Sequence, residues 1–154
     1  SAEQILTTAY SLEEGLQDFY LRMMQEVTSS EVIKLFRKLA DIEDVHKEKI
    51  FDEYSRITGV TDRLSFEKLL KKDALEGGMT TDEYLERFTP DFEKPAEVIS
   101  LAMTIEAQAL DLYTRAGRNS KDPNNQEMLE RIAKEEKYHL EQLGSLLDNI
   151  LEAQ

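Results

Sequence analysis

Both histidines of this chain close a Glu-x-x-His tetrapeptide, Glu43 to His46 and Glu136 to His139. Each tetrapeptide follows another glutamate by the same interval. Glu13 lies 30 residues before Glu43 and Glu106 lies 30 before Glu136, so one Glu…Glu-x-x-His unit occurs twice at an offset of 93. On a helix of about 3.6 residues per turn, positions i and i+3 share a face, so each tetrapeptide offers a carboxylate and an imidazole to one point. Two such points, each completed by a glutamate from another helix, describe a site for two metal ions. Four carboxylates gathered in a core without cations would repel one another and retain protons. Two divalent ions set +4 against the −4 of Glu13, Glu43, Glu106 and Glu136, with His46 and His139 neutral. Oxygen ligands with one imidazole per ion suit iron, and after it manganese, better than structural zinc, which favours cysteine-rich closed sites. Oxidising both irons raises the metal charge to +6, which oxygen-derived anions offset, so redox chemistry with oxygen species follows from charge balance.

A single Glu-x-x-His on a helix is ordinarily a solvated pair. Two copies, each in register with a core-facing glutamate and with a tyrosine seven residues after it, are a stronger signal. The repeat also selects among neighbouring acids. Glu14 maps onto Ala107, which favours Glu13, and Glu135 maps onto Ile42, which favours Glu136. Tyr20 and Tyr113 lie about two turns beyond Glu13 and Glu106; each is either a packed core phenol or a donor to a ligand carboxylate on the opposite hairpin. Glu135 is a candidate acceptor for the free ring nitrogen of a ligating histidine. Ile42 offers no such acceptor, and in that role Glu135 would make the two metals inequivalent. No side chain beyond the ligands is expected to do chemistry itself.

Four long amphipathic segments must position these groups. The first, about residues 2 to 28, aligns Leu6, Ala9, Glu13, Leu16, Tyr20 and Met23. The second starts after a cap at Ser29 or Ser30, aligns Leu35, Leu39, Glu43, His46 and Ile50, and ends near Gly59. The third opens on Pro95, well placed in a first helical turn, aligns Ile99, Ala102, Glu106, Ala109 and Tyr113, and ends about Gly117. The fourth opens on Asp122-Pro123 and aligns Met128, Ile132, Glu136, His139, Leu143 and Leu146. Short links make segments one and two, and likewise three and four, antiparallel hairpins over 2–58 and 95–152. Residues 60–94 form a long, partly helical crossover, with one piece from Ser65 through Phe66, Leu69 and Leu70 to Gly77-Gly78. A second piece starts at Thr80, with Glu83 at capping-box spacing, and runs through Tyr84 and Leu85 to Phe88. The expected fold is an all-α four-helix bundle of two antiparallel hairpins joined by that crossover, in one domain.

Composition narrows the function classes. The 154 residues suffice for one core without staples. Cysteine is absent, which excludes disulfides, iron–sulfur clusters and four-cysteine metal modules. A net charge of −13 argues against nucleic acid and for small cations as partners. No apolar run approaches the roughly 18 residues of a membrane span, and no signal-peptide pattern is present, so the chain reads as soluble and cytoplasmic. A start at Ser1-Ala2 without methionine reads as processing, or as a piece of something longer.

The ligand pattern matches a known template, the ferritin-like di-iron carboxylate bundle. On Glu13, Glu43-x-x-His46, Glu106 and Glu136-x-x-His139 the chain resembles the rubrerythrin branch of that superfamily over all four long helices. The second half, IEAQALDLY then EEKYHLEQL, is similar to rubrerythrin-type domains that follow a rhodanese domain. The resemblance implies two iron ions, reaction with hydrogen peroxide or oxygen, an external electron donor such as a rubredoxin-like protein, and a homodimer. It implies terminal ligands at Glu13 and Glu106, bridges at Glu43 and Glu136, and nitrogen ligands at His46 and His139. Three departures stand out. The chain carries no four-cysteine rubredoxin module, Met103 and Ala109 flank Glu106 where rubrerythrins have an extra third-helix glutamate, and His139 stands where they usually place a glutamate. One histidine per metal is closer to bacterioferritin. The expected function is a di-iron peroxidase or oxidase; the rivals are a ferroxidase or storage subunit and a metal-stabilised interaction module.

Overall fold

The computed structural model describes residues 1–77 and 80–154, with backbone alone over 71–77. Six helices follow one another: α1 (Ala2–Glu26), α2 (Ser30–Thr58), α3 (Arg63–Gly77), α4 (Thr81–Phe88), α5 (Pro95–Asn119) and α6 (Pro123–Glu152). No strand occurs among the described residues.

The helix ends follow from local chemistry. Ser1 and Gln4 form a reciprocal capping box at the start of α1. Ser29 accepts from the Val32 amide at 3.4 Å to cap α2, and α1 stops at Glu26, two residues short of expectation, because Val27 is already extended. Gly59 ends α2 in the left-handed region at φ 76°, where a β-carbon would be strained. Thr80 accepts from the Glu83 amide at 3.2 Å to start α4. Asp122 accepts from the amides of Asn124 and Asn125 at 2.9 and 3.2 Å, with Pro123 in the first turn of α6. The helix expected to end about Gly117 runs on to Asn119. Gly117 is buried against α6, and a β-carbon there would meet Glu130 Cγ at 3.2 Å. Its small size serves helix packing, not termination. The proposed end of the first crossover piece at Gly78 lies outside the described residues.

α1 packs along α2 and α5 along α6, and the two hairpins meet through α1 against α5 and α2 against α6, while α3 and α4 lie on α1. Turns of three residues force each hairpin to be antiparallel. Cross-hairpin bonds make the other pairs antiparallel too: Tyr20 reaches Glu106 and Tyr113 reaches Glu13 between α1 and α5, while His46 meets Glu135 and His139 meets Glu43 between α2 and α6. Leu6, Leu16, Met23, Leu39, Ile50, Ile99, Ile132 and Leu143 are all buried as the stripes require. Leu35 and Met128 sit at the margin, and their neighbours Phe36 and Leu129 fill the core instead. Leu69 is exposed, and Phe66 and Leu70 carry the α3 contact. Phe66 stacks edge-on against Tyr10 and packs on Tyr54, which ties the crossover to the first hairpin. Among the described residues no helix is long and apolar enough to cross a membrane.

Candidate metal centre

The middle of the bundle holds six polar side chains inside an apolar shell. Glu13, Glu43, His46, Glu106 and Glu136 are fully buried and His139 is 1 % exposed. They come from all four long helices, one from each of α1 and α5 and a Glu-x-x-His pair from each of α2 and α6. His46 Nδ1 lies 3.2 Å from Glu43 Oε2, 3.1 Å from Glu136 Oε1 and 3.5 Å from Glu13 Oε2. His139 Nδ1 lies 3.2 Å from Glu43 Oε1, 3.6 Å from Glu136 Oε2 and 3.6 Å from Glu106 Oε1. Glu43 and Glu136 therefore each turn one oxygen to either imidazole, whereas Glu13 belongs to one half and Glu106 to the other. Two ligand sets result, Glu13, Glu43, His46 and Glu136 on one side and Glu43, Glu106, Glu136 and His139 on the other, with donor atoms in each set within 4.8 Å of one another.

Buried polar atoms without partners test whether this cluster suits a cation. Of the nine such side-chain atoms among the described residues, six are here: Glu13 Oε2, Glu43 Oε1, Glu106 Oε2, both Glu136 oxygens and His139 Nδ1. A native core rarely leaves so many acceptors unpaired in one place. All are lone-pair donors to a metal, and mostly carboxylate oxygen with one imidazole per ion is chemistry for iron or manganese.

The tyrosines cross between hairpins. Tyr20 donates to Glu106 and Tyr113 to Glu13, and the Tyr113 hydroxyl also lies 3.2 Å from the Ala9 carbonyl. Burial pushes both phenols well above their ordinary pKa, and neighbouring carboxylates, Glu106 for Tyr20 and Glu136 for Tyr113, add to it, so both stay donors. Each holds one oxygen of a candidate terminal ligand: at Glu13 the other oxygen turns to His46 Nδ1, whereas at Glu106 the held oxygen is also the one 3.6 Å from His139 Nδ1. Glu135, which is part-exposed, accepts from His46 Nε2, and its other oxygen lies 3.8 Å from Lys49 Nζ. Lys49 was not singled out in the sequence; its counterpart at the repeat offset is Gln142, a break in symmetry that could have marked it. Glu48, Glu141 and Arg115 face solvent, and Arg22 bonds Asp82 of α4.

Without metal the cluster manages its charge with protons. Burial disfavours the imidazolium of His46, but hydrogen bonds to Glu136 and Glu43 outweigh it and raise the ring to about 10. Burial likewise opposes the charged His139, and Glu106, Glu136 and Glu43 raise it to about 11. Burial first, and then Glu106, push Glu136 up. Folded values above the unfolded 6.5 mean that the imidazolium contribution to stability is complete below pH 6.5 and is lost as pH rises through about 10 to 11. A metal held by these groups would displace such protons. Binding at pH 7.5 is expected to release two or more protons per protein and to tighten as pH rises. Calorimetric titration with manganese in buffers of differing ionisation enthalpy measures that release.

No curated protein matches the sequence significantly. Among solved structures, a hypothetical protein from Pyrococcus furiosus superposes with a TM-score of 0.73 at 18 % identity, covering 100 % of this chain and 92 % of that one. At that identity the likeness concerns the fold alone. The sequence profile of the Rubrerythrin family matches residues 4–147, a span that takes in both hairpins, the crossover and all six inward-facing groups; the chain belongs to the rubrerythrin family.

Proposed function

We propose that this protein is a non-haem di-iron oxidoreductase that consumes hydrogen peroxide or oxygen and is re-reduced by an external donor, such as a rubredoxin-like protein, as a homodimer. The supporting observation is the pair of ligand sets sharing Glu43 and Glu136. Iron held by Glu13, Glu43, His46, Glu106, Glu136 and His139 would supply the electrons for reducing peroxide or oxygen, and the external donor would restore them. The chain's own groups set the conditions. Glu43 and Glu136 span the halves, Glu13 and Glu106 close the ends, and Tyr20 and Tyr113 each hold one oxygen of an end carboxylate. Leu16, Leu39 and Ile132, buried one turn from Glu13, Glu43 and Glu136 on the same stripes, give the cluster apolar neighbours, which strengthens every charge interaction inside.

Anaerobic loading with ferrous iron, followed by peroxide or oxygen in a stopped-flow spectrometer, tests the proposal. A near-ultraviolet charge-transfer band should form, and peroxide should disappear catalytically once a reductant is supplied. Iron that binds and resists both oxidants would defeat the reading. The net charge of −13 and the one-histidine-per-half ligand set favour a second reading, a ferroxidase or iron-storage subunit. Light scattering separates them, because storage needs a hollow multi-subunit shell.

The tyrosine bonds give a further expectation. Tyr20→Phe and Tyr113→Phe each remove a donor to a candidate ligand without opening a large cavity. Each should weaken manganese binding about tenfold or more while changing the melting temperature of the metal-free protein little, as calorimetric titration and thermal melts will show.

A further inference from the structure

The bundle is not equally closed on its two histidine faces. Along the α2–α6 seam a groove of about 510 Å³ is lined by Asp41, Ile42, Val45, Lys49, Lys134, Glu135, Tyr138 and His139. Three pairs among these are repeat partners at the offset of 93: Asp41 with Lys134, Ile42 with Glu135 and Val45 with Tyr138. The groove thus straddles the internal two-fold, directly outside the histidines.

In one half the sequence completes the outer side of the imidazole. His46 turns Nδ1 to the carboxylate cluster and Nε2 to Glu135, which Lys49 backs at 3.8 Å. In the other half His139 also turns Nδ1 inward. Its Nε2, on the far side of the ring, has no hydrogen-bond partner among the described residues. The positions equivalent to Glu135 and Lys49 are Ile42 and Gln142, and Gln142 Oε1 is itself buried and unpaired. A ring whose Nδ1 ligates a metal carries its proton on Nε2, and an imidazolium carries one there as well. With a divalent ion at its Nδ1, His139 is therefore a donor at the base of the groove, 1 % exposed and without an acceptor.

We propose that this groove is a binding site for a small organic carboxylate with an apolar body, its carboxylate accepting from His139 Nε2 as Glu135 does from His46. Ile42, half-exposed Val45 and Tyr138 supply the apolar wall. Lys134 forms no ion pair among the described residues and stands on the rim. Lys49 and Lys134 balance Asp41 and Glu135, so on a chain of net charge −13 an anion meets local neutrality here. The volume lies in the range of small-molecule sites. The inference rests on a divalent ion at His139 Nδ1, as in the proposed function, and on the ring orientation, but not on iron's redox chemistry, because zinc at that nitrogen leaves the same Nε2 donor.

Benzoate and its neutral isostere benzamide are the probes, titrated into metal-free and zinc-loaded protein while the histidine ring nitrogens are followed by NMR. Benzoate should shift His139 Nε2 saturably, and benzamide should not. Ile42→Glu places an internal carboxylate at the equivalent position and should weaken benzoate about tenfold or more. Lys134→Glu, on an exposed residue that leaves folding intact, should weaken it severalfold. Equal binding of benzamide overturns the proposal, as does benzoate binding that both variants leave unchanged, or the lack of any saturable shift. A homodimer that buries Val45 and Tyr138 and is dispersed by Tyr138→Glu would show that a second copy covers the groove, and would also overturn it. Failure of benzoate to bind leaves the iron proposal standing, and failure of iron to bind leaves this titration readable.

Discussion

Anaerobic addition of ferrous iron or manganese should raise the melting temperature by about 10–20 °C, and Glu136→Gln should erase the gain. Each ion at hundredfold excess over its dissociation constant stabilises the folded state by about 2.7 kcal/mol, two ions by about 5, and for a chain this long 1 kcal/mol moves the midpoint about 2–4 °C. Glu136 is the decisive position because both of its oxygens are buried and unpaired and one faces each imidazole. An amide of the same shape removes an anionic donor from both halves at once. The metal-free variant should be as stable as the parent or more so. Burial, and after it Glu106, raise the folded pKa of Glu136 above its unfolded value. The parent therefore loses stability as pH climbs above the ordinary carboxylate range, and an amide has no proton to lose. Calorimetric scans of both proteins, metal-free and loaded, at pH 5 and 7.5 check the signs. A variant that still gains from metal would place the ions elsewhere.

The ligand groups were legible because the chain states them twice. A duplicated spacing needs no structure to be seen, and the helical period then places each glutamate inside an apolar stripe. The four long helices were legible for the same reason, since Pro95, Asp122-Pro123 and Gly59 punctuate strong patterns. What the sequence withheld depends on packing between helices. Gly117 reads as a stop until α6 is seen lying against it at the distance of Glu130 Cγ. Leu35 and Phe36 are adjacent and both apolar, and only the crossing of α1 over α2 decides which goes inside. Which histidine Glu135 serves was equally hidden, because it directly precedes the tetrapeptide that ends in His139 while its partner His46 lies on the other hairpin. Antiparallel crossing of α2 and α6, not sequence proximity, makes that pair.

That crossing gives the second large effect: the two halves should bind metal in distinct steps, the His46 half first. A carboxylate that accepts from the outer ring nitrogen fixes the ring's orientation and makes the inner nitrogen a better ligand, an effect worth about 10–100-fold in affinity. His46 has this partner in Glu135, which hydrogen bonding to His46 holds below the ordinary carboxylate range despite the opposing effect of burial. For His139 the equivalent position holds Ile42 instead. Cobalt titration followed in the visible region should show two inflections for the parent. Glu135→Gln keeps an acceptor oxygen but removes its charge, and should merge the inflections by weakening the first. Ile42→Glu should merge them by strengthening the second, a gain that damage to the fold cannot imitate. Two inflections that persist unchanged in Glu135→Gln would assign the inequivalence to some other feature of the bundle, and a single inflection in the parent would mean that Glu43 and Glu136, each shared by both ions, couple the halves more strongly than Glu135 divides them.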